Sequence, residues 1–238
     1  MKEKKTKQYN PIKKKESNDE KSLYQTPHVL TEQLLLRETF DFNIWDGFCG
    51  KGAIIDVIAD HYNTSFVLEK VYENFSNIYA SDLNTSFNKK YPIYLSNLSD
   101  NKKIKETEIE IKSTTQDFFE VEQGVYDNLI TNPPWLIFSD AIKHAKKIIK
   151  NKIAMLLPIQ FLTGKERYDI LTDINFPLTK VYIFNRLLLF SSELREDEKI
   201  NVGNIGVAWF VWENIKVEKV FPVIEFIDID PYVARKSN

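Results

Sequence analysis

From Tyr24 onward the chain alternates short apolar runs with stretches of helical spacing. After Thr26-Pro27, a hydroxyl residue before a proline suited to a first helical turn, Val29, Leu30, Gln33, Leu34 and Arg37 predict a helix over about 27–38. Phe42 to Trp45 reads as a short strand running into Asp46-Gly47-Phe48-Cys49-Gly50-Lys51-Gly52, and a helix begins at Ala53. Further strands are predicted at 77–80, 108–112, 126–130, 153–157, 180–184 and 207–212, with helices at 141–149 and 164–171. The strand at 207–212 is apolar on both faces, as buried strands are. This alternation predicts an α/β fold, a doubly wound, mostly parallel sheet of seven strands with helices on both faces. Ligands of such sheets bind beyond the carboxyl ends of the strands, where Asp46, Asp82, Asp117 and Asn132 are all expected.

Composition narrows the classes. With 238 residues, 43% of them hydrophobic and 28% charged, the chain suits one α/β domain and is no disordered or fibrous sequence. No apolar run reaches the length of a membrane helix, and the basic start MKEKKTKQYN has no apolar stretch behind it, so a cytoplasmic protein without a membrane partner is expected. One cysteine and three histidines make neither a disulfide framework nor a zinc cluster, so no metal is expected. Residues 1–22 hold eight lysines and four acids and read as a basic, disordered tail ahead of a single domain over 23–238. The tail is either a solvated terminus or a non-specific phosphate-binding arm.

Of seven glycines, Gly47, Gly50 and Gly52 fall within six residues. Positive φ at Gly50 or Gly52 would bring the turn close to a ligand and point backbone N–H groups at it. A tight strand-to-helix connection with nothing bound is the plainer account. The turn lacks the third glycine of the dinucleotide fingerprint, and Lys51 is not followed by the Ser or Thr of a P-loop. Asp82, closing the next strand, has a carboxylate able to accept both hydroxyl protons of a ribose.

The run Asp46 to Gly52, followed by Asp82, Asp117-Phe118 and Asn132-Pro133-Pro134-Trp135, resembles the class I S-adenosylmethionine-dependent methyltransferases. More narrowly it is similar to those that make N6-methyladenine in DNA, over about Tyr24 to Trp212. The resemblance implies a Rossmann-like methyltransferase fold and S-adenosyl-L-methionine as cofactor. It implies a cofactor loop of Asp46, Gly47, Phe48, Gly50 and Gly52, with Asp82 on the ribose and Asp117 with Phe118 at the adenine. Tyr24-Gln25-Thr26-Pro27 looks like the family's N-terminal cofactor motif, which brings Tyr24, Thr26 and Pro27 into the same set. The chain departs from the pattern at Gly47, where members often have proline or another residue, and in the roughly 30 residues between Gly52 and Asp82.

The tetrad has a chemical rationale. An exocyclic amine on adenine is a poor nucleophile because its lone pair is delocalised into the ring. The Asn132 side-chain oxygen and the Pro133 carbonyl can each accept one amine N–H and draw the nitrogen toward a pyramidal geometry. Pro134 stiffens the strand exit, and Trp135 offers a face on which a base can stack, worth about 1–3 kcal/mol in single-strand binders. Asn132, Pro133, Pro134 and Trp135 are therefore the expected catalytic residues, and DNA the expected partner, with RNA next. Because the device serves any planar nitrogen, a glutamine side-chain amide of a protein is a further substrate. A non-catalytic nucleic-acid-binding module on the same fold is the rival of another class. Cys49 reads as a small residue packed under the turn. Lys143, His144, Lys146, Lys147, Lys150 and Lys152 read as one basic face, either solvated or a phosphate track, and 186–204 as the remaining place for substrate recognition.

Overall fold

The computed structural model describes residues 25–40, 43–65, 78–97, 102–185 and 205–229. These form one sheet of nine strands in the order β3-β4-β2-β1-β5-β6-β8-β7-β9. The strands are β1 (Ile44–Asp46), β2 (Ile78–Asp82), β3 (Asn88–Asn97), β4 (Lys102–Thr115), β5 (Asn128–Thr131), β6 (Lys152–Pro158), β7 (Leu178–Phe184), β8 (Val207–Glu213) and β9 (Val223–Ile227). The helices are α1 (His28–Leu35), α2 (Ala53–Ser65), α3 (Phe138–Ile148) and the single turn α4 (Tyr168–Leu171).

The α/β architecture agrees with the sequence reading, and the strand count and directions correct it. Five of the eight neighbouring pairs are parallel, while β3–β4, β6–β8 and β7–β8 are antiparallel. The seven expected strands lie side by side from β4 to β7, and β3 and β9 extend the sheet at its two edges. β3 carries Pro92 at its centre, opposite Glu108, a residue tolerated there because an edge strand needs no ladder bond on its outer side.

Period-2 alternation sorts the core into two layers. Ala154 and Leu156 of β6 with Trp209 and Val211 of β8 face α1 and α2, where Leu30, Leu34, Ile54, Ile55 and Ile58 are buried. Ile153, Met155 and Leu157 with Ala208, Phe210 and Trp212 face α3, against Ala141, Ile142 and Ala145. The helices thus cover both faces, and the carboxyl ends of β1, β2 and β5 share one edge, since those strands run parallel in adjacent positions.

Candidate active site

β1 ends in Asp46, fully buried, and the chain turns at once through Gly47 to Gly52 into α2. Gly50 and Gly52 have φ of +52° and +85°, a region costly for residues with a Cβ. Gly47 is required by packing, because a Cβ there would lie 2.5 Å from Phe118 Cδ2 and 2.8 Å from Trp45 Cζ2. At Gly52 a Cβ would meet Phe87 Cε1 at 2.9 Å. The turn is closed by Gly52 N–H donating to the Cys49 carbonyl and tied to β2 by Cys49 N–H donating to the Ser81 carbonyl.

Asp82 holds this turn from the next strand. Its Oδ2 accepts from Gly50 N–H at 3.1 Å, and its Oδ1 accepts from the N–H groups of Asn84 and Thr85. The Thr85 hydroxyl donates to the Gly50 carbonyl at 2.8 Å, so Gly50 is held from both sides. The carboxylate expected at a ribose thus also braces the loop.

Asp46 is placed differently. Its Oδ1 accepts from the Thr131 hydroxyl at 2.7 Å and from Phe48 N–H at 3.3 Å, whereas its buried Oδ2 has no hydrogen-bond partner. Burial pushes this carboxyl up to about 7, against the pull of the Thr131 and Phe48 hydrogen bonds and with the help of the Asp82 charge. An orphaned buried oxygen on the turn is what a donor on a bound cofactor would satisfy. Cys49 is buried beside it, and burial with the charges of Asp46 and Asp82 pushes its thiol up, which removes it as a nucleophile.

Asn132 follows β5 directly. Its Nδ2 donates to the Thr26 hydroxyl oxygen at 3.1 Å, bringing the segment before α1 to the tetrad across 106 residues of sequence. Pro133 is buried, Pro134 exposed, and Trp135 is 36% exposed. Ile137 N–H donates to the Pro134 carbonyl, which closes the tetrad into a turn leading to α3. Leu136, at the tip of that turn, is wholly exposed.

Asp117 caps a single 3₁₀ turn, Phe118–Glu120, by accepting from Phe119 N–H at 2.9 Å. Phe118 is only 2% exposed, with its ring stacked between Trp45 and Phe48 at centroid distances of 5.0 and 4.5 Å. It supports the glycine turn from beneath. Pro27 precedes α1, and Tyr24 lies outside the described residues, as does 186–204.

The expected basic face is divided by the fold. Lys146 pairs with Asp173 at 2.9 Å, Lys150 with Asp127 at 3.2 Å and Lys152 with Glu38 at 2.5 Å, while His144 packs edge-on against Phe118. Only Lys143 and Lys147 of that set remain exposed on α3. Thr131 is the residue that sequence reasoning missed. Its position between an apolar strand and the tetrad was visible, but its partner Asp46 lies 85 positions away.

No family model matches the chain. A glutamyl-tRNA reductase from Thermodesulfovibrio yellowstonii is 28% identical over 134 residues, 54% of this chain and 30% of that protein. Several solved structures are similar in fold. One, described as a modification subunit of a type I restriction enzyme from Vibrio vulnificus YJ016, superposes with a TM-score of 0.53 at 12% identity, over 90% of this chain and 48% of its own. The type I restriction enzyme EcoKI M protein gives 0.51 at 13% identity, over 89% of this chain and 49% of its own. The ATP-dependent type ISP restriction-modification enzyme LlaBIII, bound to DNA, gives 0.50 at 12% identity, over 87% of this chain and 20% of its own. The chain spans about half or less of each of these proteins. What it shares with them is the Rossmann-like α/β fold.

Proposed function

We propose that the chain transfers a methyl group from S-adenosyl-L-methionine to an exocyclic amino nitrogen, adenine N6 in DNA. The observation that carries this reading is the Thr131–Asp46 hydrogen bond, which ties the end of the strand before the glycine turn to the end of the strand before the Asn132 tetrad. The residues present fit the cofactor: Asp46 keeps an unpartnered buried oxygen, Gly50 and Gly52 bend the turn, and the N-terminus of α2 adds oriented N–H groups. When bound, the cofactor supplies an electrophilic methyl on a sulfonium.

The chain supplies position and dipoles. Asn132 Oδ1 and the Pro133 carbonyl accept the two amine hydrogens, turning the nitrogen lone pair toward the methyl, so no ionised base is needed for attack. Trp135, partly exposed beside them, stacks the base, which offsets the cost of a few kcal/mol for drawing a base from a duplex. The three structurally similar restriction-modification proteins favour DNA over RNA as the substrate. The glutamyl-tRNA reductase likeness adds no second reading, because the turn lacks the third glycine of a dinucleotide site.

The test is transfer of label from S-adenosylmethionine to DNA, RNA and total protein side by side, with digestion of the product to the modified residue. Label in N6-methyladenine from DNA is expected. Label confined to RNA or to glutamine would move the substrate, and tight cofactor binding with no transfer would favour a binding module.

A further inference from the structure

We propose that Thr26 is a positioning residue for Asn132, a role that rests on the reading of Asn132 given above. Thr26 is buried, and its hydroxyl oxygen lies 3.1 Å from Asn132 Nδ2. A primary amide has a donor side and an acceptor side, and methyl transfer to an amine needs the acceptor side toward substrate. With its amino group engaged by Thr26, Asn132 keeps Oδ1 for the other direction. Were the amide reversed, it would present N–H groups to an amine that has only N–H groups to give.

The support for Thr26 is rigid. Pro27 fixes the chain immediately after it, Leu30 N–H donates to the Pro27 carbonyl, and α1 is pinned to the sheet by the buried Trp209 indole N–H, which donates to the Leu30 carbonyl at 2.8 Å. A hydroxyl held this firmly restricts the amide plane, and small misplacement of a reacting contact is costly in rate.

Thr26→Val removes the hydroxyl while keeping the side-chain shape, and Thr26→Ser restores it. With wild-type DNA methylation as reference, Thr26→Val should lower kcat about 10- to 100-fold, with KM for S-adenosylmethionine changed by no more than about threefold. Thr26→Ser should return kcat to within about threefold of wild type. An unchanged kcat, or a loss carried wholly by cofactor KM, would overturn the proposal. The second readout needs no turnover: the Asn132 side-chain amide pair in a ¹⁵N-labelled chain, assigned by its loss in Asn132→Asp. It should shift in Thr26→Val and return in Thr26→Ser, and a pair unmoved in Thr26→Val would equally overturn the assignment. An inactive wild-type chain would sink the methyl-transfer reading, yet this signal would still decide the Thr26 contact.

Discussion

The Thr131 hydroxyl donates to Asp46 Oδ1 at 2.7 Å and accepts from Phe48 N–H at 3.2 Å, so one side chain on β5 holds both the acid and the first residues of the glycine turn. Thr131 and Asp46 are both buried. Thr131→Val would leave Phe48 N–H only its longer bond to Asp46 Oδ1 and deprive Asp46 of its shortest hydrogen bond. A loss of about 1–3 kcal/mol in stability is expected, with weaker cofactor binding, measured by urea unfolding and calorimetric titration. Wild-type values in both would remove Thr131 from the account.

Asp46 makes stability depend on pH in a stated direction. Its folded-state value of about 7 lies above the ordinary 3.8, so the folded chain retains a proton that the unfolded chain gives up on rising from about 4 to about 7. Stability should therefore fall as pH rises through that window and level off above it. Asp46→Asn has no such proton, so its stability relative to wild type should increase from pH 5 to pH 8 in denaturant titrations at the two pH values. Parallel profiles would count against a raised Asp46.

Gly47→Ala tests the packing under the turn. The added methyl would meet both Phe118 and Trp45 well inside contact distance. Those rings are stacked on each other within the core, so neither yields freely. We expect a loss of about 1–3 kcal/mol. Phe118→Leu in the same chain should recover part of it, and strictly additive losses in that double-mutant cycle would argue against the contact.

Glu38 anchors the opposite edge of the sheet. It accepts hydrogen bonds from Lys152 at 2.5 Å, Lys180 at 2.6 Å and the Tyr182 hydroxyl at 2.5 Å. Burial alone would raise its carboxyl, but these three donors outweigh it and hold the group below its ordinary range. The stabilisation is thus present above the ordinary carboxylate pKa and lost as pH falls through the lowered value. Glu38→Gln should cost about 3 kcal/mol at pH 7, with a smaller difference in strong acid, read by thermal unfolding across that range. A constant difference would place the effect in packing instead of charge.

The parts of the fold legible in the sequence are those where local pattern and burial agree. β6 and β8 are apolar on both faces and sit mid-sheet, and each was placed to within a residue at either end. β3 and β9 were missed because edge strands need little apolar alternation: β3 holds Pro92, and β9 leaves Val223, Ile224 and Phe226 exposed. Positive φ at Gly50 and Gly52 followed from glycine's conformational range. That Phe118 would fill the space beneath Gly47, or Thr26 reach Asn132, depends on contacts between distant segments that no local pattern encodes.

Trp135→Ala should weaken nucleic-acid substrates more than the cofactor, since its partly exposed ring offers a face on which a base can stack. Michaelis constants for DNA and for S-adenosylmethionine separate the two, and an unaltered KM for DNA would withdraw the stacking role.

The most direct measurement is Asn132→Ala against wild type, with cofactor affinity by calorimetry and N6-methyladenine in DNA by mass spectrometry of digested nucleosides. With Asn132 assigned to the amine as proposed, the variant should bind S-adenosylmethionine within a few-fold of wild type and form no N6-methyladenine. Methylation persisting at the wild-type rate, or cofactor binding that collapses with it, would contradict the assignment of the tetrad to the amine.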